Sequence, residues 1–380
     1  MKRIENARRA RLAVVVATII TIFGAMLQRA ETADRARYVV RTETGEFEER
    51  DLEGKLTSMT EDELTFQIDD AKRPEGAPED GVIPAERVLW IMLDGAPINL
   101  DAARVEIEIG EYENALERLN ALKENEIDPD RKPRVAAEVE WYKAYATLQL
   151  ALADAQSINA GGKATADFIK AHGDHYRYYA AIAMLGDAYL HMARNGSGAE
   201  KESSLKRAKS AYAKLEKAQS AITRARGKLG LARVAVEEKD PATAEPLFAE
   251  IAKDAELVNE LHGLEVVVAA KLGLAGVYAN SSRFAEARTL LDETLASTPN
   301  SATLQQAQIY NAIGDARALE GATEEAIVAY LHVDLLYPSA RHERVKALKA
   351  LAPLWRKVGR DDRADETVER LKTRFNVKAE

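Results

Sequence analysis

The sequence predicts a mainly α-helical protein: a stack of about seven helix hairpins, preceded by a small β module. Three observations predict it. Small and bulky residues return at fixed spacings about every 34 to 43 positions in the C-terminal half. The composition is 46% hydrophobic but only 6% aromatic, which suits many helices that pack through small contacts. A short stretch near residue 60 alternates apolar and polar residues, as a half-buried strand does.

Residues 1–33 are predicted to be a targeting segment, outside the fold. Five basic residues precede an uncharged apolar run at residues 12–27. A basic flank before a short apolar run is typical of a signal peptide or a membrane anchor. The run is shorter than the ~20 residues that cross a bilayer comfortably, and no good small-x-small cleavage site follows it. Export is therefore expected, and both cleavage and anchoring to the membrane through residues 12–27 stay open.

Residues 36–95 are predicted to form a small β module. Four strand candidates cover residues 38–42, 52–59, 64–68 and 88–93, and Glu61-Asp62 is expected to turn the chain between the second and third. The order of these strands resembles the small SH3-like or Sm-like barrels. The resemblance implies a barrel-like module that docks or spaces rather than one that binds RNA, since the segment is acidic.

Residues 98–380 carry the repeated pattern. In three stretches a small residue is followed by a second small residue twelve positions later, and a bulky residue comes four positions after that. The three sets are Ala275, Ala287 and Leu291; Gly314, Ala326 and Tyr330; Ala352, Ala364 and Val368. Small residues are needed where two helices cross closely, and bulky residues fill the space to the next hairpin. Pro299 and Pro338 are expected to follow the second helix of a hairpin.

This pattern resembles the tetratricopeptide repeat (TPR). The resemblance implies a right-handed α-solenoid whose helix hairpins bind other proteins. Upstream the register continues less regularly, through Leu185-Gly186, Tyr212 and the segment around Gly110. A longer helix pair is predicted between the segment around Gly110 and Leu185, from 135 to 152 and from 164 to 171, joined through Gly161-Gly162.

No residue set predicts a catalytic, cofactor or metal site. His172 and His175 have the spacing of two metal ligands on a helix, but Gly173 lies between them, so a turn between helices is the better interpretation. Gly162-Lys163 lacks the flanking residues of a phosphate-binding loop and is interpreted as a hairpin turn. The chain has no cysteine, which excludes thiolate chemistry and disulfides. We expect no enzymatic activity.

Partner-binding residues are predicted from the repeat register alone, on the inner face formed by the first helices of the hairpins. They are Arg226, Arg233, Asn311, Lys346, Lys349 and Arg356. The register also places Leu272 and Gly276 there, where repeats that clamp acidic chain ends need Lys or Asn. Basic side chains near the last repeat would suit an acidic partner segment.

The expected function is a non-catalytic protein–protein interaction scaffold of the bacterial cell envelope. Residues 329–340 and 347–352 resemble repeat proteins of bacterial envelopes, which implies envelope proteins as partners and a periplasmic or outward-facing, membrane-anchored location. The formal charge is −9, and residues 1–30 carry a net +5, which leaves −14 for the remainder. Such an acidic body argues against nucleic acid as a partner. The alternative is a self-associating structural subunit without a dedicated peptide groove.

Overall fold

The structure, a computed structural model, describes residues 33–69, 73, 77–126, 132–153 and 158–375. The predicted leader lies outside the described residues, apart from position 33. The described chain is an antiparallel sheet followed by a long series of helices.

The sheet has five strands: β1 (Asp34–Arg41), β2 (Phe47–Met59), β3 (Glu63–Gln67), β4 (Val82–Pro84) and β5 (Val88–Met92). All four strand predictions are confirmed, although β1 begins four residues earlier than expected and β2 begins at residue 47. The turn at Glu61-Asp62 joins β2 to β3 as predicted. Burial alternates along the strands because neighbouring side chains point to opposite faces, so that Leu64 and Phe66 are buried and Thr65 between them is not.

The predicted barrel is not formed by the described strands. Their order is β4-β3-β2-β1-β5, so the sheet is open and has β4 and β5 as its two edges. Instead of closing on itself, the sheet buries one face against helices. Leu52, Phe66 and Ile91 share one apolar core with Leu119 and Trp141 from the helical part. A sheet covered in this way needs no closure to exclude water from its apolar face.

Fourteen α-helices follow in the described residues, and they form seven consecutive pairs. Their bounds are α1 (Ile98–Glu108), α2 (Tyr112–Asn120), α3 (Pro133–Ala153), α4 (Ile158–Ala171), α5 (Tyr178–Asn195), α6 (Gly198–Leu215), α7 (Ala221–Glu237), α8 (Pro241–Lys253), α9 (Gly263–Asn280), α10 (Phe284–Ser297), α11 (Thr303–Glu320), α12 (Thr323–Leu336), α13 (Arg341–Lys357) and α14 (Asp361–Phe375). Each helix contacts the next, and from α5 onward each first helix of a pair also contacts the first helix of the following pair. The prediction of about seven hairpins is confirmed.

Small residues sit where the register predicted them. Ala287, Ala326 and Ala364 are fully buried on the second helices of the last three pairs. Gly314 lies under the ring of Tyr330, where a Cβ atom would come within 2.6 Å of the ring. Glycine is thus required for the close approach of α11 and α12.

The turns follow the expected signals in most places. Pro299 and Pro338 come directly after α10 and α12, and Gly321 ends α11 in the left-handed conformation with φ 88°. The loop around His172 and Gly173 separates α4 from α5, as predicted.

One predicted turn is wrong. Gly161, Gly162 and Lys163 lie inside α4, and the connection from α3 falls at residues 154–157, outside the described set. The glycines serve close helix packing instead, since a Cβ atom on Gly161 would stand 2.7 Å from Cα of Leu148 on α3. A paired glycine therefore marked a helix crossing rather than a loop.

Among the described residues, one helix is long and apolar enough to cross a membrane by composition. This is α9, Gly263–Asn280, and half of it is buried inside the protein. Val266, Val267 and Ala270 pack in a core shared with α7 and α8, so α9 serves as a core helix of the stack.

Candidate interaction face

The candidate site is the surface formed by the first helices of the last five pairs, which we call the first-helix face. These helices are α5, α7, α9, α11 and α13, and each packs beside the next. All six predicted partner-binding residues lie on α7, α11 or α13. The face has a charged N-terminal part, a nearly uncharged middle and a basic C-terminal end.

An aspartate held by a tyrosine occurs twice on this face. Asp187 on α5 accepts a hydrogen bond from the hydroxyl of Tyr212 at 2.6 Å. Asp315 on α11 accepts the equivalent bond from Tyr330, also at 2.6 Å. Burial and the neighbouring carboxylate raise the pKa of both tyrosines well above the ordinary value, so each stays a hydrogen-bond donor.

Arg226 on α7 is half-buried among carboxylates from three other parts of the fold. The strongest of these electrostatic interactions is with Glu265 on α9, followed by those with Asp187 on α5 and with Glu86 from the β module. Burial lowers the pKa of Arg226 from its ordinary value, and the three carboxylates oppose that effect. Arg233, two turns further along α7, is half-exposed. Its positive charge helps to lower the pKa of Glu265 and opposes the rise in the pKa of Tyr212. The N-terminal part of the face thus carries acidic side chains on α5 and α9 and basic side chains on α7 between them.

Asn311 differs from the expectation that it binds a partner. It is 0% exposed, and its Nδ2 donates to the backbone oxygen of Glu343 at 3.0 Å and to Oε2 of the same residue at 2.8 Å. The neighbouring first helices α11 and α13 approach so closely here that the amide joins them to each other. Asn311 is therefore a structural residue, out of reach of a partner.

The basic C-terminal end is open to solvent. Lys346 on α13 pairs with Oδ2 of Asp315 at 2.8 Å, which extends the tyrosine–aspartate unit into a three-residue chain. Arg356 contacts Asp365 on α14 at 3.4 Å. Lys349 is exposed, and within the described part of the chain it has neither an ion pair nor a hydrogen bond. These three predicted residues are available, and Lys349 carries the least compensated charge.

The middle of the face is nearly uncharged. Leu272 and Gly276 on α9 and Gln308 on α11 are each half-exposed. A Cβ atom on Gly276 would meet nothing within 4 Å, so the face is open at this point.

The β module contacts the loops that lead into α7 and α9, which the sequence did not predict. Oδ1 of Asp62 accepts from the backbone NH of Gln219 at 3.1 Å, just before α7. Arg87 pairs with Glu260 at 3.6 Å, just before α9. Residues 62 and 219 are 157 positions apart, so no local pattern could have indicated this contact.

The two histidines considered as metal ligands have separate roles. Nε2 of His172 contacts Glu140 at 2.8 Å, and Nε2 of His175 faces the buried carboxylate of Glu138 at 3.1 Å. Nδ1 of His175 accepts from the backbone NH of Arg177 at 3.1 Å. No group of three or more His, Cys, Asp or Glu side chains suitable for a metal occurs in the described ranges.

Arg177 fastens the sheet to the helices. Its guanidinium donates to the backbone oxygen of Leu89 on β5 and lies over the rings of Trp141 and Tyr176, at 5.6 and 4.7 Å from their centroids. Cation–π contacts of this kind are stronger away from water. No local pattern indicated this role for Arg177, since an arginine in a loop is ordinarily solvated.

Pockets in the described surface are shallow. One between α7 and α8, lined by Arg224, Lys228 and Glu250 among others, has a volume of about 130 Å³. Sites for drug-sized molecules have roughly 300–1,000 Å³. A second, of about 310 Å³, is lined by residues of α10 alone and is open surface.

Comparison with known proteins gives limited information. No protein-family model matches the chain, and no curated protein matches it. Among solved structures, BtubC (BKLC) from P. vanneervenii is 16% identical with a TM-score of 0.38, over 62% of this chain and 88% of that chain. The human IFIT1 dimer with PPP-AAAA is 15% identical with a TM-score of 0.41, over 71% of this chain and 66% of that chain. Both scores are below 0.5, so the class of this protein, a stack of helix pairs with an N-terminal sheet, rests on its own geometry.

Proposed function

We propose that the protein is a non-catalytic protein–protein interaction scaffold that holds a partner segment on its first-helix face. The observation that carries the proposal is Lys349, an exposed and unpaired cation at the basic end of that face. Stacked first helices form an extended surface in solenoid proteins, and such surfaces serve binding. The partner segment is acidic, because Lys346, Lys349 and Arg356 present like charge along nearly three turns of α13.

The location of this activity in the bacterial cell envelope is part of the proposal. It is supported by the basic and apolar pattern of residues 1–33, which favours export with or without a retained anchor. The acidic charge of the remaining chain favours protein over nucleic acid as the partner.

The test is cross-linking in source cells followed by purification through a C-terminal tag, with the wild type compared with Lys349→Glu. We expect the Lys349→Glu protein to lose a reproducible set of envelope partners. The matched control is Lys372→Glu, the same charge change at an exposed position of α14. Loss with both variants would indicate a general charge effect and would contradict the proposed face.

A self-associating subunit is the second candidate, favoured by an exposed apolar patch. Val328, Leu335 and Leu336 on α12 are 53%, 69% and 60% exposed, and Leu304 on α11 is 44% exposed. Val328 and Leu335 are two helical turns apart and so lie on the same side of α12, and apolar residues exposed together favour an interaction site. Sedimentation of the purified protein as a defined oligomer, reduced to a monomer by Leu335→Glu, would favour this candidate over the peptide-binding face.

A further inference from the structure

The β module is attached to the helices at two places of different character. The first is apolar and extensive: the sheet shares one buried core with α1 to α5, and Arg177 adds its buried bond to Leu89. Arg134 on α3 donates to the backbone oxygen of Thr57 at 3.2 Å at the same junction. This attachment cannot open without exposing the core of the sheet.

The second attachment is polar and solvent-facing. It consists of Asp62 with the NH of Gln219, Arg87 with Glu260, and Nη2 of Arg41 with Oδ1 of Asn259 at 2.7 Å. Arg87 and Glu260 are 32% and 35% exposed. Exposed pairs of this kind contribute little individually, and salt screens them.

The second attachment also contains an opposing charge. Glu86, next to Arg87, lies near Glu260, and the two carboxylates repel each other. Arg87 attracts Glu86 as well as Glu260. The closed contact is therefore a balance of small attractions and one repulsion.

The position of this contact is unusual for a stack of repeats. In a solenoid each repeat contacts only its neighbours. The module, anchored on α1 to α5, reaches forward to the starts of the fourth and fifth pairs. Within the described part of the chain, the apolar core of the sheet and the core of α7, α8 and α9 share no residue.

We propose that this polar contact is a releasable latch: closed, the β module covers the N-terminal part of the first-helix face around Ser220 and Arg226, and open, it exposes that part. The sheet remains fixed on α1 to α5 in both states. The latch goes beyond the proposed function, because it concerns how the chain covers its own surface, and its test requires no partner.

Thiol labelling tests the latch directly, because the chain has no cysteine of its own. Three reporter proteins carry one cysteine each: Ser220→Cys under the latch, Ser204→Cys in the buried part of α6, and Ser339→Cys in the exposed loop after α12. Each is combined with Arg87→Glu, which turns the Arg87–Glu260 pair into a repulsion. Each is also combined with the charge swap Arg87→Glu/Glu260→Arg.

We expect Arg87→Glu to speed labelling of the cysteine at 220 by about three- to tenfold, with no change at 204 or 339. The charge swap is expected to return the rate at 220 towards the original value. Equal acceleration at 220 and 204 would show that the helices themselves unfold, which would overturn the latch. An unchanged rate at 220 would overturn it as well, since the Arg87–Glu260 pair would then hold nothing closed.

Discussion

The hydroxyl of Tyr212 donates to Oδ1 of Asp187 at 2.6 Å, and the same unit recurs between Tyr330 and Asp315. In both units the aspartate directly follows a glycine, and the tyrosine ring lies over that glycine. The glycine leaves room for the tyrosine ring, and the aspartate fixes the tyrosine hydroxyl. The contact between ring and glycine therefore sets the distance between the two helices of each hairpin. The unit orients a carboxylate on the first-helix face, where Arg226 or Lys346 from the next first helix meets it.

Tyr212→Phe should lower the free energy of unfolding by about 1.5 kcal/mol, because a hydrogen bond to a charged acceptor is lost from a buried ring. The measurement is urea unfolding followed by circular dichroism. Tyr189→Phe is the control, since Tyr189 is half-buried on α5 and its hydroxyl has no hydrogen bond among the described contacts. Equal effects of the two changes would mean that the Asp187 bond contributes nothing specific.

Gly230→Ala should destabilise the protein by about 1–3 kcal/mol, because the new Cβ atom would stand 2.2 Å from Cδ1 of Tyr212. Gly276→Ala is the matched control in the middle of a neighbouring first helix, where a Cβ atom meets nothing within 4 Å. There the change should stabilise by up to about 1 kcal/mol through helix propensity. The midpoint temperatures of thermal unfolding should therefore shift in opposite directions for the two variants. A higher midpoint for Gly230→Ala would contradict the described packing.

Glu86→Gln should make the protein more stable near pH 7. Burial where the β module meets the helices raises the pKa of Glu86 above its ordinary value. A carboxyl whose folded pKa is raised favours the folded state at low pH, and this contribution is lost as the pH rises through the folded pKa. The neutral amide avoids that loss, so the variant's advantage should disappear below about pH 4, where the carboxyl is protonated in both states.

Glu265→Gln is expected to behave in the opposite way. The interaction with His262, whose Nδ1 lies 3.7 Å from Oε2 of Glu265, is the largest of the causes that lower the pKa of Glu265. A lowered folded pKa contributes stability above the unfolded pKa and loses it as the pH falls. The variant should therefore be less stable than the wild type near pH 7. Unfolding curves from pH 4 to pH 8 that show the same sign for both variants would contradict these assignments.

Asn311→Leu should lower the free energy of unfolding by about 2–3 kcal/mol, because it leaves the buried carboxylate of Glu343 without its amide partner. Lys349→Glu should leave stability within about 0.5 kcal/mol of the wild type, since it is an exposed surface change. Denaturant unfolding of the two proteins thus separates a structural residue from a binding residue. A stable Asn311→Leu protein would show that the amide bond between α11 and α13 is dispensable.

Local patterns were enough to predict much of the fold. The twelve-residue spacing of Ala275 and Ala287 indicated a helix hairpin because both helices of a crossing need a small residue at the same height. The alternation at Leu64, Thr65 and Phe66 indicated a strand because neighbouring side chains of a strand point to opposite faces. A local pattern does not distinguish a glycine in a turn from one at a helix crossing. The turn predicted at Gly161 is wrong for that reason. Its partner Leu148 lies on another helix, so the cause was not local.

The candidate site was only partly predictable. The register placed Lys346, Lys349 and Arg356 on an exposed surface, because the helical period determines which residues share a face. It placed Asn311 on the same surface, although the approach of α11 to α13 buries that position.

Local patterns specified the helix pairs, the strands and the kind of surface that the first helices form, since each depends on residues close together in the chain. Only the tertiary structure shows that the sheet stays open against the helices, that Arg177 bonds to Leu89 on β5, and that Asp62 and Arg87 reach residues 219 and 260. Those contacts join positions 88 to 173 residues apart, and their energy depends on how the helix pairs stack, which no local spacing records.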